Sequence, residues 1–244
     1  MIDQLGSELL KIRTTRTLPV LLLLAVALTL LGTTVEGLSR TGGELAQENA
    51  QRAVFNAAGS SVVLMATLAG LIAATAEFRY GTIRPTLMIE PRRRVIVAAK
   101  LAAASLAGIV FGVICVAVCF GAGLAIIAAR DVNLALTGDH ALALVLGPVG
   151  ASVLGAMLGV AVGTLIRNQV GAIVALAAYA IAVDALLFAA VPSVGRFMPG
   201  KAGDALTGRP VEDLLAPGLG AAVLVAWTVT LVAAATVRNA RTDI

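Results

Sequence analysis

The strongest constraint on this chain is a series of six apolar segments. Each, as a helix, is about long enough to cross the core of a lipid bilayer. That hydrocarbon core measures about 30 Å, which about 20 helical residues cross. Because no water is available there, each backbone N–H and C=O must be bonded within the segment, as a helix allows. We therefore predict an all-α polytopic membrane protein with six transmembrane helices at 18–35, 55–76, 101–129, 141–166, 169–190 and 217–237.

Composition and loop length exclude a soluble enzyme and a separate folded domain. The chain is 59% hydrophobic and 13% charged, whereas soluble domains carry about 25% charged residues. The longest segments between the spans, 77–100 and 191–216, fall short of the roughly 50 residues that the smallest domains need. The sequence thus predicts a single transmembrane domain over 1–244, so any chemistry occurs in the membrane or on another subunit.

The distribution of Lys and Arg predicts that both termini lie in the cytoplasm. With the N-terminus inside, 12 of the 18 Lys and Arg residues fall on the cytoplasmic side and 6 on the outer side. Positively charged loops are retained in the cytoplasm during insertion, which favours this orientation. The formal net charge of +4 then reflects orientation in the membrane. The basic residues form no stripe with interleaved aromatic residues, so nucleic acid is not a predicted partner.

The segment before the first span has the pattern of an amphipathic helix. Ile2, Leu5, Leu9 and Ile12 recur at spacings of three and four, which places them on one helical face. Such a helix, within 1–17, would lie in the cytoplasmic membrane interface and contact membrane lipid. A frayed cytoplasmic tail is the alternative, because the apolar stripe is short.

The segment 77–94 between the second and third spans carries its own helix signals. Gly81 permits a turn, Thr82 is a preferred N-cap residue, Pro85 is tolerated in a first turn and Pro91 ends the run. A short helix over 82–90 is therefore predicted on the membrane surface, with an apolar tip at 87–89. An exposed apolar tip in a basic loop indicates a docking surface. The alternative is an anchor whose apolar residues only enter the lipid interface.

At this loop the sequence resembles a known family. The run Glu-Phe-Arg-Tyr-Gly-Thr-Ile-Arg-Pro-Thr-Leu at 77–87, followed by Pro-Arg-Arg at 91–93, is similar to the first cytoplasmic loop of type-2 ATP-binding-cassette permeases. The resemblance implies a six-span membrane subunit of a bacterial exporter in the cytoplasmic membrane. It also implies a second permease copy, as a homodimer or a related heterodimer, and separate ATPase subunits that carry ATP and Mg²⁺.

The resemblance also implies roles for particular segments. By likeness, the N-terminal segment is an elbow helix, 77–100 is a coupling loop with its coupling helix at 82–90, and 191–216 is a re-entrant segment on the outer side. The residues expected to couple to the ATPase are Glu77, Arg79, Gly81, Thr82, Ile83, Arg84, Thr86, Leu87, Met88, Pro91 and Arg92.

The chain is not expected to hydrolyse ATP itself or to bind a metal. The run from Gly195 to Lys201 satisfies the GxxxxGK pattern of a phosphate-binding loop, but Ala202 replaces the Ser or Thr that would hold Mg²⁺ and no strand is predicted before it. Cys115 and Cys119 share a helical face, yet His140 is the sole histidine, so they are interpreted as packing residues. We predict no catalytic residue and no bound cofactor.

Asp184 is the only carboxylate inside the six predicted spans. An ionisable group there costs at least about 2.5 kcal/mol unless it is paired or hydrated, which makes Asp184 a candidate functional residue. Alternatively it reaches the outer headgroups or pairs with Arg130 or Arg196. The residues predicted to line a translocation path are Ser60, Ser61, Thr67, Thr75, Tyr179 and Asp184.

Small residues recur at intervals of four in two spans. Gly155, Gly159 and Gly163 lie in the fourth span, and Gly108 and Gly112 lie in the third. Small residues let helix backbones approach closely, so these positions predict packing faces, within the subunit or between subunits.

The sequence thus favours the membrane permease of an ATP-driven exporter, with the loop 77–100 as its contact with the ATPase. Two alternatives stay open. One is an ATP-independent carrier or channel that uses Asp184, and the other is a membrane anchor that recruits a soluble partner through the same loop.

Overall fold

The computed structural model describes residues 2–57, 59–82, 88, 92–209 and 211–241. Across these residues the chain is helical and contains no strand. The helices are α1 (Ile2–Thr14), α2 (Thr17–Leu38), α3 (Gly42–Leu45), α4 (Glu48–Asn56), α5 (Gly59–Arg79), α6 (Arg93–Ala129), α7 (Gly138–Ile166), α8 (Gln169–Ala178), α9 (Asp184–Ala190), α10 (Pro192–Gly195), α11 (Pro199–Leu206) and α12 (Pro217–Arg241).

Six helical segments within this part of the chain are long and apolar enough to cross a membrane, which confirms the predicted fold class. They are Thr17–Leu38, Glu48–Arg79, Val95–Ala129, Gly138–Ile166, Gln169–Ala190 and Pro217–Arg238. The second and third begin earlier than the sequence predicted, at Glu48 and Val95 instead of 55 and 101. Polar and basic residues open both helices, and an apolar pattern cannot reveal such a start.

The helices alternate in direction, so the bundle has two ends. At one end, called the α1 end, α1 contacts the last turn of α5 and the first turns of α6. At the other, called the α11 end, α4 contacts the connection from α6 to α7 and Thr207, the residue that follows α11. The N-terminal segment is helical, as predicted, while its place in a membrane interface and the sidedness of the termini stay predictions.

Span five is interrupted by a π turn. Residues Tyr179–Val183 separate α8 from α9, and the backbone N–H of Asp184 donates to the carbonyl oxygen of Tyr179, five residues earlier. Such turns insert an additional residue into a helix and occur frequently at functional sites. The sequence carried no signal for it, because Ala-Ile-Ala-Val continues the apolar pattern on both sides.

The most extensive helix contact joins α5 and α7, and small residues make it possible. A Cβ at Gly159 would lie 1.9 Å from the carbonyl oxygen of Thr67, and a Cβ at Gly70 would lie 2.0 Å from that of Ala156. Both helices therefore touch backbone to backbone. Gly155 and Gly163 face α5 in the same way, which places the predicted glycine face of the fourth span within the subunit.

The third span uses its glycines against the same neighbour. A Cβ at Gly108 would lie 2.7 Å from the carbonyl oxygen of Ser152, and a Cβ at Gly112 would lie 2.7 Å from the Cα of Val149. Helix α7 is thus held between α5 and α6, and its middle is the core of the bundle. By contrast, large apolar residues such as Leu23 and Ile181, 69% and 77% exposed, cover the outside as a lipid environment requires.

Substitution of Gly159 tests this contact. Gly159→Ala should lower the free energy of unfolding by about 1–3 kcal/mol, because the new methyl group would overlap the carbonyl of Thr67. Unfolding can be followed by titration with a denaturing detergent, with a thiol-reactive fluorophore reporting the exposure of Cys115 and Cys119, which are 1% and 4% exposed.

Gly121→Ala is the matched control for this prediction. It lies in helix α6, and no described atom lies within 4 Å of the Cβ that alanine would add. Alanine favours the helix over glycine, so this variant should be as stable as the native chain or slightly more so. Equal stability of the Gly159 and Gly121 variants would contradict the packing argument.

Candidate functional site

The predicted coupling loop leaves the bundle at the end of α5. The loop residues that follow α5 are exposed, Tyr80 by 71% of its surface. Gly81 has a φ of +68°, which turns the chain away from the helix axis. Met88 is 85% exposed. The residues Ile83, Arg84, Thr86, Leu87 and Pro91 lie outside the described part of the chain, so the helix predicted over 82–90 stays a prediction.

Two further loop residues have described positions beside the membrane helices. The guanidinium of Arg79 donates to Oε1 of Gln169 at 3.2 Å and lies over the ring of Tyr80. This contact links the end of α5 to the start of α8. Arg92, an exposed residue, precedes the first turn of α6. The loop therefore starts and ends at helices α5 and α6, and Arg79 adds a connection to span five.

Four charged side chains form a closed ring at the α1 end of the bundle. In the charged ring, Lys11 contacts Glu8 at 2.7 Å and Glu77 at 2.6 Å. Lys100 contacts the same two carboxylates at 2.9 Å and 2.7 Å. The ring contains two cations and two carboxylates in alternation and therefore has no net charge. It joins α1 to both α5 and α6.

Burial makes the members of the charged ring depend on one another. The side chains of Glu8, Glu77 and Lys100 are only 6%, 5% and 8% exposed. A buried charge that loses its partner is destabilising by several kcal/mol, whereas a complete pair is tolerated. The ring therefore fixes the position of α1 against the bundle.

The charged ring changes the interpretation of Glu77. The sequence placed Glu77 among the residues that couple to the ATPase, and its carboxylate points into the bundle and is buried. Its effect on the loop is therefore indirect, through the position of the last turn of α5. Glu8 and Lys100 were not predicted, because residues 92 positions apart in the chain give no sequence signal of their contact.

Lys11 is the most exposed member of the ring. Burial alone would lower the pKa of its ammonium, but hydrogen bonds and charge from Glu77 and Glu8 outweigh this and raise the pKa above 10.5. A raised lysine pKa stabilises the fold at every pH below the unfolded value, and this is lost only as the pH rises through the folded value. Attachment of α1 should thus be constant through neutral pH and weaken under strongly alkaline conditions.

At the other end of the bundle, a cavity of about 570 Å³ lies between α5, α7, span five, α11 and α12. Most of the predicted path residues line it. Ser60, Ser61, Thr67, Tyr179 and Asp184 all face this cavity. Thr75 lies elsewhere on α5, where it is fully buried and donates to the carbonyl of Leu71 at 2.9 Å. Its predicted part in the path is therefore not supported by its position.

Asp184 is partnered by its own span and by α11. The hydroxyl of Tyr179 donates to Oδ1 at 3.3 Å, and Nζ of Lys201 lies 3.9 Å from Oδ2. The backbone of Lys201 also donates to this carboxylate. A Cβ at Gly200 would lie 2.5 Å from Oδ2, so glycine is what lets α11 approach so closely.

Arg130 and Arg196, which the sequence offered as alternative partners of Asp184, make other contacts. Arg130 instead donates to the carbonyl oxygens of Arg40 and Leu38, at 3.1 and 3.4 Å. The guanidinium of Arg196 lies over the ring of Phe197. Lys201 takes their place because α11 folds back onto span five, a tertiary contact that a search of neighbouring basic residues does not reveal.

A chain of polar contacts continues from Asp184 along the cavity. Lys201 lies 3.3 Å from Oδ2 of Asp204, and Arg209 lies 3.5 Å from the same oxygen. Arg209 then donates to the hydroxyl of Ser60 at 3.1 Å. These contacts connect span five, the segment 191–216 and α5. Lys201, the last residue of the GxxxxGK pattern, thus lies between two carboxylates, an environment that repels phosphate.

The charged ring supports a stability prediction. Lys100→Met should lower the free energy of unfolding by about 3 kcal/mol, because it leaves two buried carboxylates with one ammonium between them. Adding Glu8→Gln should recover part of this loss, since one cation and one carboxylate then remain. Detergent titration with the thiol-reactive fluorophore measures both.

Arg40→Met is the control for this prediction. Arg40 pairs with Glu36 at the α11 end of α2, where both side chains are about one-third exposed. Loss of this pair should change the unfolding free energy by less than about 1 kcal/mol. A similar loss for Arg40→Met and Lys100→Met would contradict a special role for the buried ring.

The contact between Gly200 and Asp184 generates a second prediction. Gly200→Ala should destabilise the chain by about 1–3 kcal/mol, because the new methyl group overlaps the carboxylate. In an Asp184→Ala background, where the space is vacant, the same substitution should cost clearly less. A double-mutant cycle measures this coupling. Additive effects of the two substitutions would show that α11 does not lie against Asp184.

Comparison with known proteins agrees with the architecture. The family model described as ABC-2 family transporter protein matches residues 5–183, well over half of the chain. No curated protein and no solved structure gives a significant match. The matched region includes most of α1, the charged ring, the first four spans and most of the fifth, while Asp184, Lys201, Asp204 and Arg209 follow it. The chain belongs to the ABC-2 family of transporter proteins and is the membrane permease of an ABC transporter.

Proposed function

We propose that this permease is the membrane subunit of an exporter, in which separate ATPase subunits drive movement through the loop 77–100. Two permease copies, identical or related, would form the complete transporter in a bacterial cytoplasmic membrane, with both termini inside. ATP and Mg²⁺ would bind to the ATPase subunits. The family membership supports the permease role, and the Lys and Arg distribution supports the orientation.

The observation that carries this proposal is the arrangement along α5. This helix runs without interruption from Gly59 to Arg79, a length of about 30 Å. Its last turn holds Glu77 in the charged ring and leads directly into the loop, while its first turns carry Ser60 and Thr67 on the cavity wall. A displacement of the loop would thus reach the cavity through one rigid helix.

The charged ring would extend such a displacement to two neighbouring helices. Because Glu77 is bonded to Lys11 and Lys100, α1 and α6 would move together with the end of α5. Arg79 adds a contact to the start of span five through Gln169. Closure of an ATPase dimer on docked loops would therefore alter the distance between α5, span five and α11, which enclose the cavity.

The test is capture of the ATPase. The full chain with an affinity tag, expressed in its native membrane and extracted gently, should co-purify with a stoichiometric soluble ATPase. Met88→Asp should abolish this capture, because Met88 is 85% exposed and a charge there opposes an apolar contact, while the protein stays folded and inserted. Leu87→Asp tests the neighbouring position of the predicted apolar tip.

Leu134→Asp provides the control. Leu134 is 55% exposed in the connection between α6 and α7, at the opposite end of the bundle. Leu134→Asp also replaces an exposed apolar side chain by a carboxylate, but at a site that the ATPase should not contact. Capture of the ATPase should therefore be unaffected. Recovery of the native chain without an ATPase, together with transport by the chain alone, would favour the ATP-independent carrier. ATPase binding without any transport would favour the anchor.

A further inference from the structure

The cavity combines apolar walls with one charged end. Leu64, Leu158, Leu224, Leu231 and the indole of Trp227 contribute apolar surface. The charged residues among the described lining are Asp184, Lys201, Asp204 and Arg209. A cavity of about 570 Å³ is within the range of about 300–1,000 Å³ that small-molecule sites occupy. A ligand would therefore need both an apolar body and a polar group at one end.

The four charged side chains differ in how easily each can move out of the cavity into water. The side chains of Asp184 and Asp204 are 9% and 8% exposed, and that of Lys201 is 20% exposed. Arg209 is 42% exposed and makes a looser contact with Asp204, 3.5 Å against 3.3 Å for Lys201. Its guanidinium can move into water at the smallest cost of the four, because it is already partly hydrated and gives up only the contact with Asp204 and the hydrogen bond to Ser60.

Departure of Arg209 would leave an uncompensated negative charge in the cavity. With both carboxyls ionised, the buried Asp184 and Asp204 and the half-buried Lys201 together carry a net charge of one negative unit. A buried charge without a partner is strongly unfavourable, so this set requires one more cation. Arg209 supplies that cation in the structure, and a cationic group from outside can replace it.

We propose that this cavity binds a monocationic amphiphile, whose cation takes the place of Arg209 at Asp204 while its apolar body contacts Trp227 and the surrounding leucines. The inference rests on the proposed function only in calling such a ligand a cargo of the transporter, and binding itself needs neither ATP nor a partner. An anion is disfavoured, because it would add a third negative charge beside Asp184 and Asp204 and would have to displace them from Lys201.

The indole of Trp227 provides a direct readout. It is the single tryptophan of the chain, it lines the cavity, and its Nε1 donates to the carbonyl of Phe197 at 2.9 Å. The full chain in detergent micelles would be titrated with tetraphenylphosphonium. Tetraphenylborate, an anion of nearly the same size and shape, is the matched probe. Tryptophan fluorescence then separates the effect of charge from that of apolar bulk.

Three results are expected. Tetraphenylphosphonium should change the fluorescence with a saturable dependence, and tetraphenylborate should not. Asp204→Asn should weaken binding of the cation by about tenfold or more, because it removes the carboxylate that receives it. Arg209→Gln should tighten binding several-fold, since the competing cation is absent, whereas a residue with a purely structural role would not improve binding when removed.

Asp139→Asn controls for the loss of a carboxylate. Asp139 is exposed at the start of α7 and does not line the cavity, so its removal should leave binding unchanged. The thiol-reactive fluorophore reports whether each variant is folded. If Asp204→Asn proves unstable, Arg209→Gln decides alone, because Arg209 is the most exposed of the four groups.

Each contrary outcome overturns the proposal. Absence of a saturable response to tetraphenylphosphonium would show that the cavity takes no such ligand. Equal responses to both probes, unaffected by Asp204→Asn, would indicate apolar binding without charge selection. Weaker binding in Arg209→Gln would show that Arg209 attracts the ligand. None of these results bears on ATPase capture, so failure here is distinguishable from failure of the exporter assignment.

Discussion

The absence of water inside a lipid bilayer decides most of this structure. Backbone groups that cannot bond to water must bond within the chain, which makes the spanning segments helical. The same condition governs side chains, because a charge in such surroundings is stable only beside a partner. Two groups of charges in the bundle, the charged ring and the set around Lys201, are arranged so that cations and carboxylates alternate.

Helix association in lipid cannot rely on the hydrophobic effect, since lipid tails are as apolar as the side chains. The contact between α5 and α7 instead depends on backbone approach at Gly70 and Gly159. These helices form the stable middle of the molecule. The charged ring and the ion pairs around Lys201 lie toward the two ends of α5, so a firmly packed helix joins the two groups of charges.

Sequence reasoning recovered the features that depend on local pattern. Apolar segment length revealed six spans, and glycine spacing revealed the packing faces of α7 and α6. The scarcity of carboxylates in the spans singled out Asp184, whose role stays a prediction. Four further predicted path residues proved to line the same cavity as Asp184. These features share a cause. In lipid, the free-energy cost of a polar residue and the packing benefit of a small residue each depend on a single position, so both can be inferred from the sequence.

Features that depend on tertiary pairing were missed. Nothing local links Glu8 to Lys100, or Arg209 to Ser60, which are 92 and 149 positions apart in the chain. Glu77 matched a motif at the start of an exposed loop, and its burial became evident only when α1 and α6 were placed beside it. The contact of Asp184 with Lys201 was likewise not predicted, because the folding of α11 onto span five is not encoded in charge spacing.

The π turn has a further consequence for the direction in which span five presents its polar groups. In a regular α-helix, residues five apart point about 140° away from each other, since each residue turns the helix by about 100°. In a π turn, the backbone hydrogen bond joins residues five apart, so these two residues lie on nearly the same side of the helix. Tyr179 and Asp184 can therefore meet only because one additional residue is present, and the rotational phase of span five is set at that turn.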